Sequence, residues 1–168
     1  QKQTVVIGKR EGTYKNMPES RSFKVKVLSS QVPQSVLVNG NPVKYTYSGD
    51  EFALIIDLSV LSCNQEKRIE IVYPVANVNL NGLQGVAKRV AKSMEALKYR
   101  ESYICFKEEL GRMGSLSEAV AYAPEELPTL VARFRASYDE LPEVLKRQGL
   151  KEEKAAWFLQ SVGWTSNK

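Results

Sequence analysis

The side chains of this chain best equipped for chemistry are its 19 carboxylates and three tyrosines, Tyr14, Tyr45 and Tyr47. Histidine is absent altogether. That removes any Ser-His-Asp or Cys-His site and any imidazole metal ligand. The two cysteines, Cys63 and Cys105, cannot build a structural zinc site alone. No Gly-x-x-x-x-Gly-Lys loop occurs, and Gly82, Gly85, Gly111 and Gly114 lack dinucleotide spacing. Carboxylate catalysis needs only two acids in a cleft, but nothing in the spacing of the acids selects a pair. The sequence therefore names no catalytic, cofactor-binding or metal-ligating residue. Binding chemistry is what remains. Tyr14, Tyr45 and Tyr47, with their polar neighbours, could stack a sugar ring, although tyrosines at strand positions also serve as half-buried sheet residues.

Composition agrees with a folded, globular unit. The chain has 168 residues, 43% hydrophobic and 26% charged, enough for one domain or two small ones. The formal charge is +5, but 24 basic residues are interleaved with the acids, as in Lys151-Glu152-Glu153-Lys154. Mixed signs at helical spacing describe a wetted face, and no recognition motif accompanies them, so nucleic acid is not an expected partner. No apolar run approaches the roughly 20 residues of a membrane span. Gln1 leads straight into a strand pattern without a start methionine or signal peptide, which reads as an excised or processed chain. The thiols read as unpaired: Cys63 near a strand end, Cys105 buried in the apolar stretch Tyr103-Ile104-Cys105-Phe106.

The elements that must position these residues follow from periodicity, which predicts an α+β chain. An N-terminal antiparallel β-sandwich should span 1–76, and a C-terminal helical bundle of four or five helices 77–168. Phe23, Val25 and Val27 alternate with polar residues, as do Ile69, Ile71 and Tyr73. Val36-Leu37-Val38 and Val43-Lys44-Tyr45-Thr46-Tyr47 flank Asn39-Gly40, whose positive φ suits a hairpin, so the two runs should pair. Ser48-Gly49-Asp50-Glu51 should turn the chain into Phe52–Leu58. About six or seven such strands imply a sandwich.

Beyond Tyr73-Pro74 the pattern changes. Asn77, Asn79 and Asn81 mark a polar connector, and Leu83, Val86, Ala87, Val90, Met94 and Leu97 then fall on one helical stripe. Leu130, Val131, Phe134 and Tyr138 form another. Ser115 and Glu118 fit a capping box, and Gly149 and Gly163 fit left-handed helix ends. Glu126-Leu127-Pro128 recurs as Glu140-Leu141-Pro142, with Arg133 echoed by Arg147, which reads as two helices starting alike. Trp157 should anchor the last helix in the core, and Trp164 should pack back on it as a cap contact.

One set of motifs carries a resemblance. Arg10-Glu11-Gly12 ends the first strand, Tyr14 follows, Arg21-Ser22-Phe23 opens the next strand, and Val38-Asn39-Gly40 makes a later hairpin. Their order and spacing over residues 3 to 74 resemble the small β-domain that follows the catalytic barrel in glycoside hydrolase family 31. Gly12 would take the turn conformation that a Cβ disfavours, and Arg21 would meet Glu11 across a hairpin. The resemblance implies a non-catalytic C-terminal region of an α-glycosidase, α-glucosidase- or α-xylosidase-like. Its partner would be the catalytic barrel of the parent enzyme, and the parent an exported bacterial protein. A carbohydrate-binding module is the alternative, with carbohydrate as ligand. The helical half departs from the family pattern and reads as an added extension.

Overall fold

The structure is a computed structural model that describes residues 1–74, 78–100 and 104–166. Among these residues it is α+β, with two antiparallel sheets and six α-helices. By contacts it divides into two units, Gln1–Ser48 with Phe52–Asn79, and Gly49–Glu51 with Leu80–Lys168. The expected boundary at 76/77 lies outside the described residues.

The strands are β1 (Lys2–Ile7), β2 (Ser20–Val27), β3 (Ser35–Val38), β4 (Asn41–Pro42), β5 (Thr46–Ser48), β6 (Ala53–Ser62) and β7 (Lys67–Val72). One sheet has the order β1-β7-β3-β4 and the other β2-β6-β5. Alternation does what it should. Val36, Val38, Ile69 and Ile71 of the first sheet and Leu54, Ile56 and Leu58 of the second are buried in one cluster, with Phe23, Val25 and Val27 packed against it. Their polar neighbours on the same strands face outward. At about 25 cal/mol per Å² of apolar surface removed from water, this shared core is the main force holding the unit.

Strand partnership differs from expectation in two places. The Arg-Glu-Gly turn does not close a hairpin, because β1 pairs with β7 and β2 with β6, in different sheets. Arg21 accordingly does not meet Glu11; its Nη2 donates to the Tyr14 hydroxyl at 3.4 Å, while Arg10 Nη1 donates to the Pro18 carbonyl at 2.8 Å. The run from Val43 to Tyr47 also splits. The Asn39-Gly40 turn, with φ of 49° and 81°, sets the short β4 beside β3, and the pairing reaches as far as Val43, whose N–H donates to the Val36 carbonyl at 3.0 Å. Tyr47 then crosses to the other sheet, opposite Leu54 on β6. Alternation fixes which face a residue takes, and it leaves the neighbouring strand open.

Lys67 is an unusual core member, 2% exposed. Its ammonium donates to the carbonyls of Ser62 and Gln65, and lies 5.2 Å from the centroid of the Phe23 ring. Carbonyl dipoles and a ring face replace the water it gave up.

The helices are α1 (Leu83–Arg100), α2 (Glu108–Gly114), α3 (Leu116–Tyr122), α4 (Leu127–Asp139), α5 (Leu141–Gln148) and α6 (Glu152–Val162), with a 3₁₀ turn at Pro124–Glu126. The count exceeds the expected four or five because Ser115 ends α2 and starts α3 at once. A break of one residue leaves no mark on a periodic pattern. Ser115 is not a capping box either: its hydroxyl donates backward to the Gly111 carbonyl at 3.1 Å. The twin Glu-Leu-Pro starts do open α4 and α5, burying Leu127 and Leu141 alike. Gly149 and Gly163 end α5 and α6 at φ of 85° and 71°, with Leu150 N–H donating to Leu145 O and Trp164 N–H to Leu159 O.

Trp157 is not the anchor of α6. Phe158 is fully buried, and Trp157 sits half-buried on the flank with the Arg100 guanidinium 4.4 Å from its ring centroid. Trp164 donates its indole N–H to the Tyr138 carbonyl at 2.8 Å. Both cysteines are free, and Cys105 is exposed rather than buried. Ile104 to Lys107 run without regular structure, where half-buried Ile104 and Phe106 leave Cys105 facing out.

Candidate functional site

The three tyrosines do not form one platform. Tyr45 and Tyr47 lie two positions apart and turn the same way. Tyr45 packs against the core cluster, and its hydroxyl donates to the Pro33 carbonyl at 2.8 Å. Tyr47 donates to the Ser30 carbonyl at 2.9 Å. Tyr73 joins them from β7's end: its hydroxyl lies 2.9 Å from Ser30 Oγ and donates to Gln3 Oε1 at 3.0 Å. The three phenols thus clamp the segment between β2 and β3. Burial pushes the Tyr47 phenol above its ordinary value, and nearby Tyr73 adds to that; burial also raises Tyr73. Tyr14 is separate, in the connection after Gly12 (φ 73°), and it is 58% exposed. It offers one ring face to solvent with Arg21 beside it.

A second site lies in the helical unit. A groove of about 550 Å³ opens between α2, α3 and α4. Met113, Leu116 and Phe134 are buried and form its floor, and Leu130 extends it. The floor arises from sequence in a simple way. Short α2 and α3 each turn their buried residues toward α4, whose stripe of Leu127, Val131 and Phe134 faces back. Phe134 is stacked on Tyr138, with centroids 5.9 Å apart and planes at 12°.

The rim is charged and largely satisfied internally. Glu108 pairs with Arg112 one turn on. Glu109 receives Arg147 of α5 through both carboxylate oxygens, at 3.0 to 3.1 Å, and the Ser137 hydroxyl at 3.4 Å. Arg133 also lines the groove, and it has no ion-pair or hydrogen-bond partner among the described residues.

Sequence reading finds the parts of this groove and misses the whole. Phe134 and Leu130 belong to a visible stripe, and Arg133 to the echo with Arg147. No linear signal says that α2 and α3 break apart to leave a cleft against α4. Among the described residues, no group of three or more acids or cysteines is placed to hold a metal ion, and no helix is long and apolar enough to cross a membrane. Comparison with protein-family models, with curated proteins and with solved structures finds no match to this chain.

Proposed function

We propose that this chain is a non-catalytic packing or interaction region that works beside a catalytic body. The two sheets act as the layers of a β-sandwich over 1–76, and the helices as a bundle over 77–168. The observation that carries the reading is the fate of Tyr45 and Tyr47. Both hydroxyls are spent on the chain's own carbonyls at Pro33 and Ser30, so these rings brace the β-unit instead of offering a sugar face. The order of Arg10-Glu11-Gly12, Tyr14, Arg21-Ser22-Phe23 and Val38-Asn39-Gly40 is the support for a family 31 α-glycosidase as that body.

The test has two arms. The purified chain is assayed on aryl α-glucosides and α-xylosides, and is mixed with a separately made family 31 barrel. No turnover together with a stoichiometric complex supports the reading. Turnover abolished by substituting one acid of this chain would overturn it, as would failure to associate with any such barrel. The carbohydrate-binding alternative rests on Tyr14 alone. Binding of α-gluco-oligosaccharides that Tyr14→Ala abolishes would favour it.

A further inference from the structure

We propose that the groove between α2, α3 and α4 binds a small amphipathic carboxylate, with Arg133 pairing with its anion. The volume of about 550 Å³ falls within the range of small-ligand sites. Its floor of Met113, Leu116 and Phe134 is hydrocarbon, sulfur and aromatic ring. An apolar ligand body would release water from half-buried Leu130 and Ala119 and exposed Ala136, which line the groove above that buried floor.

The rim selects the charge of the ligand. Its two carboxylates are both committed, Glu108 to Arg112 and Glu109 to Arg147. Its two hydroxyls are committed as well, Ser115 to the Gly111 carbonyl and Ser137 to Glu109. The Arg133 guanidinium is the groove-lining charge left over among the described residues. The echo in the sequence makes this more than a stray surface arginine. Arg133 stands at the same offset from Glu126 as Arg147 from Glu140. Arg147 lies 3.9 Å from Glu140 and grips Glu109, whereas its counterpart pairs with neither Glu126 nor any other acid among the described residues. A planar guanidinium with free N–H groups matches a carboxylate in two parallel bonds. A cationic ligand would meet Arg133 as a like charge, and a neutral one would forgo the charge-assisted pair.

The experiment uses the whole chain with three probes of one shape, 2-naphthoate, 2-naphthalenemethanol and 2-naphthylmethylamine, read by calorimetry and by amide chemical shifts. Naphthoate at about 1 mM should shift amides of α2, α3 and α4, and should bind at least about tenfold more tightly than the alcohol or the amine. Arg133→Gln, at an exposed position where folding is not at stake, should reduce the acid to the affinity of the alcohol and leave the alcohol unchanged. Leu130→Gln should weaken both. The proposal is overturned if the acid does not bind, if acid and alcohol bind alike to the unaltered chain, or if Arg133→Gln leaves the acid's advantage intact.

Discussion

Arg147 and Glu109 meet through two oxygens of one carboxylate: Nε lies 3.1 Å from Oε2, and Nη2 lies 3.0 Å from each oxygen. The pair joins the end of α5 to the start of α2. Gln148 reinforces it, accepting from Lys107 N–H at 2.8 Å and donating to the Cys105 carbonyl at 2.9 Å, as a neighbouring strand would. An irregular segment is thereby tied to a helix end.

Arg147→Ala should lower stability by about 1 kcal/mol, because the side chains are half exposed and solvent screens them. Arg147→Lys should recover little, since an ammonium lacks the planar fork that meets both oxygens in parallel bonds. Thermal melts at low salt and in about 1 M salt check this, and the difference between variants should shrink in salt, where the Debye length falls to about 3 Å.

Phe158→Ala should cost about 3 to 5 kcal/mol, the range for deleting a buried aromatic side chain. Trp157→Ala should cost about 1 kcal/mol, mostly the lost contact with Arg100. Urea unfolding of both variants decides the order. A larger loss at Trp157 would show that the flank, and not the buried neighbour, seats α6.

Alkaline pH should weaken the β-unit. In the folded chain burial holds the Tyr47 phenol above its ordinary value of 10.0, whereas the unfolded phenol ionises near that value. The unfolded state therefore binds fewer protons once the pH passes about 10, and stability must fall as pH rises. Below that point the contribution is whole. Urea midpoints at about pH 9 and pH 11 should separate more for the unaltered chain than for Tyr47→Phe, which has no proton there to lose.

Gly149→Ala should cost about 1 kcal/mol from backbone strain alone. Its φ is 85°, yet a Cβ there would meet nothing within 4 Å. Gly149→Asn should cost less, because asparagine tolerates the left-handed region. Thermal melts of the two variants test the order.

The strands were legible because burial on one face of a sheet writes a two-residue alternation, and Phe23-Val25-Val27 and Ile69-Ile71-Tyr73 carry it cleanly. Their partners were not, since the same alternation fits β5 against β3 or β6, and only the shared core decides. Helix ends at Gly149 and Gly163 were legible because a left-handed backbone at a helix end favours glycine. The break at Ser115 was not, for its hydroxyl reaches back to Gly111 where a capping box would reach forward. Trp157 misled by size. On α6 the buried position goes to its neighbour Phe158, because the turn of the helix sets the register and bulk does not. Of the candidate site, single residues were visible, but a groove built by three helices has no linear signature.

The pairing of β1 with β7 carries a consequence for the order of events in synthesis. Lys2 lies opposite Val72, and Tyr73 N–H donates to the Gln1 carbonyl at 2.8 Å, while β1 itself stands at the edge of its sheet. The first strand of the unit to leave the ribosome is thus the one that waits for the last. Until Val72 has emerged, Val5 and Ile7 have no ladder to join, and the half-built core stays open to passing chains. Such long-range closure slows folding, so growing chains halted before Lys67 should be protease-sensitive throughout this unit, and those halted well beyond Tyr73 should be resistant.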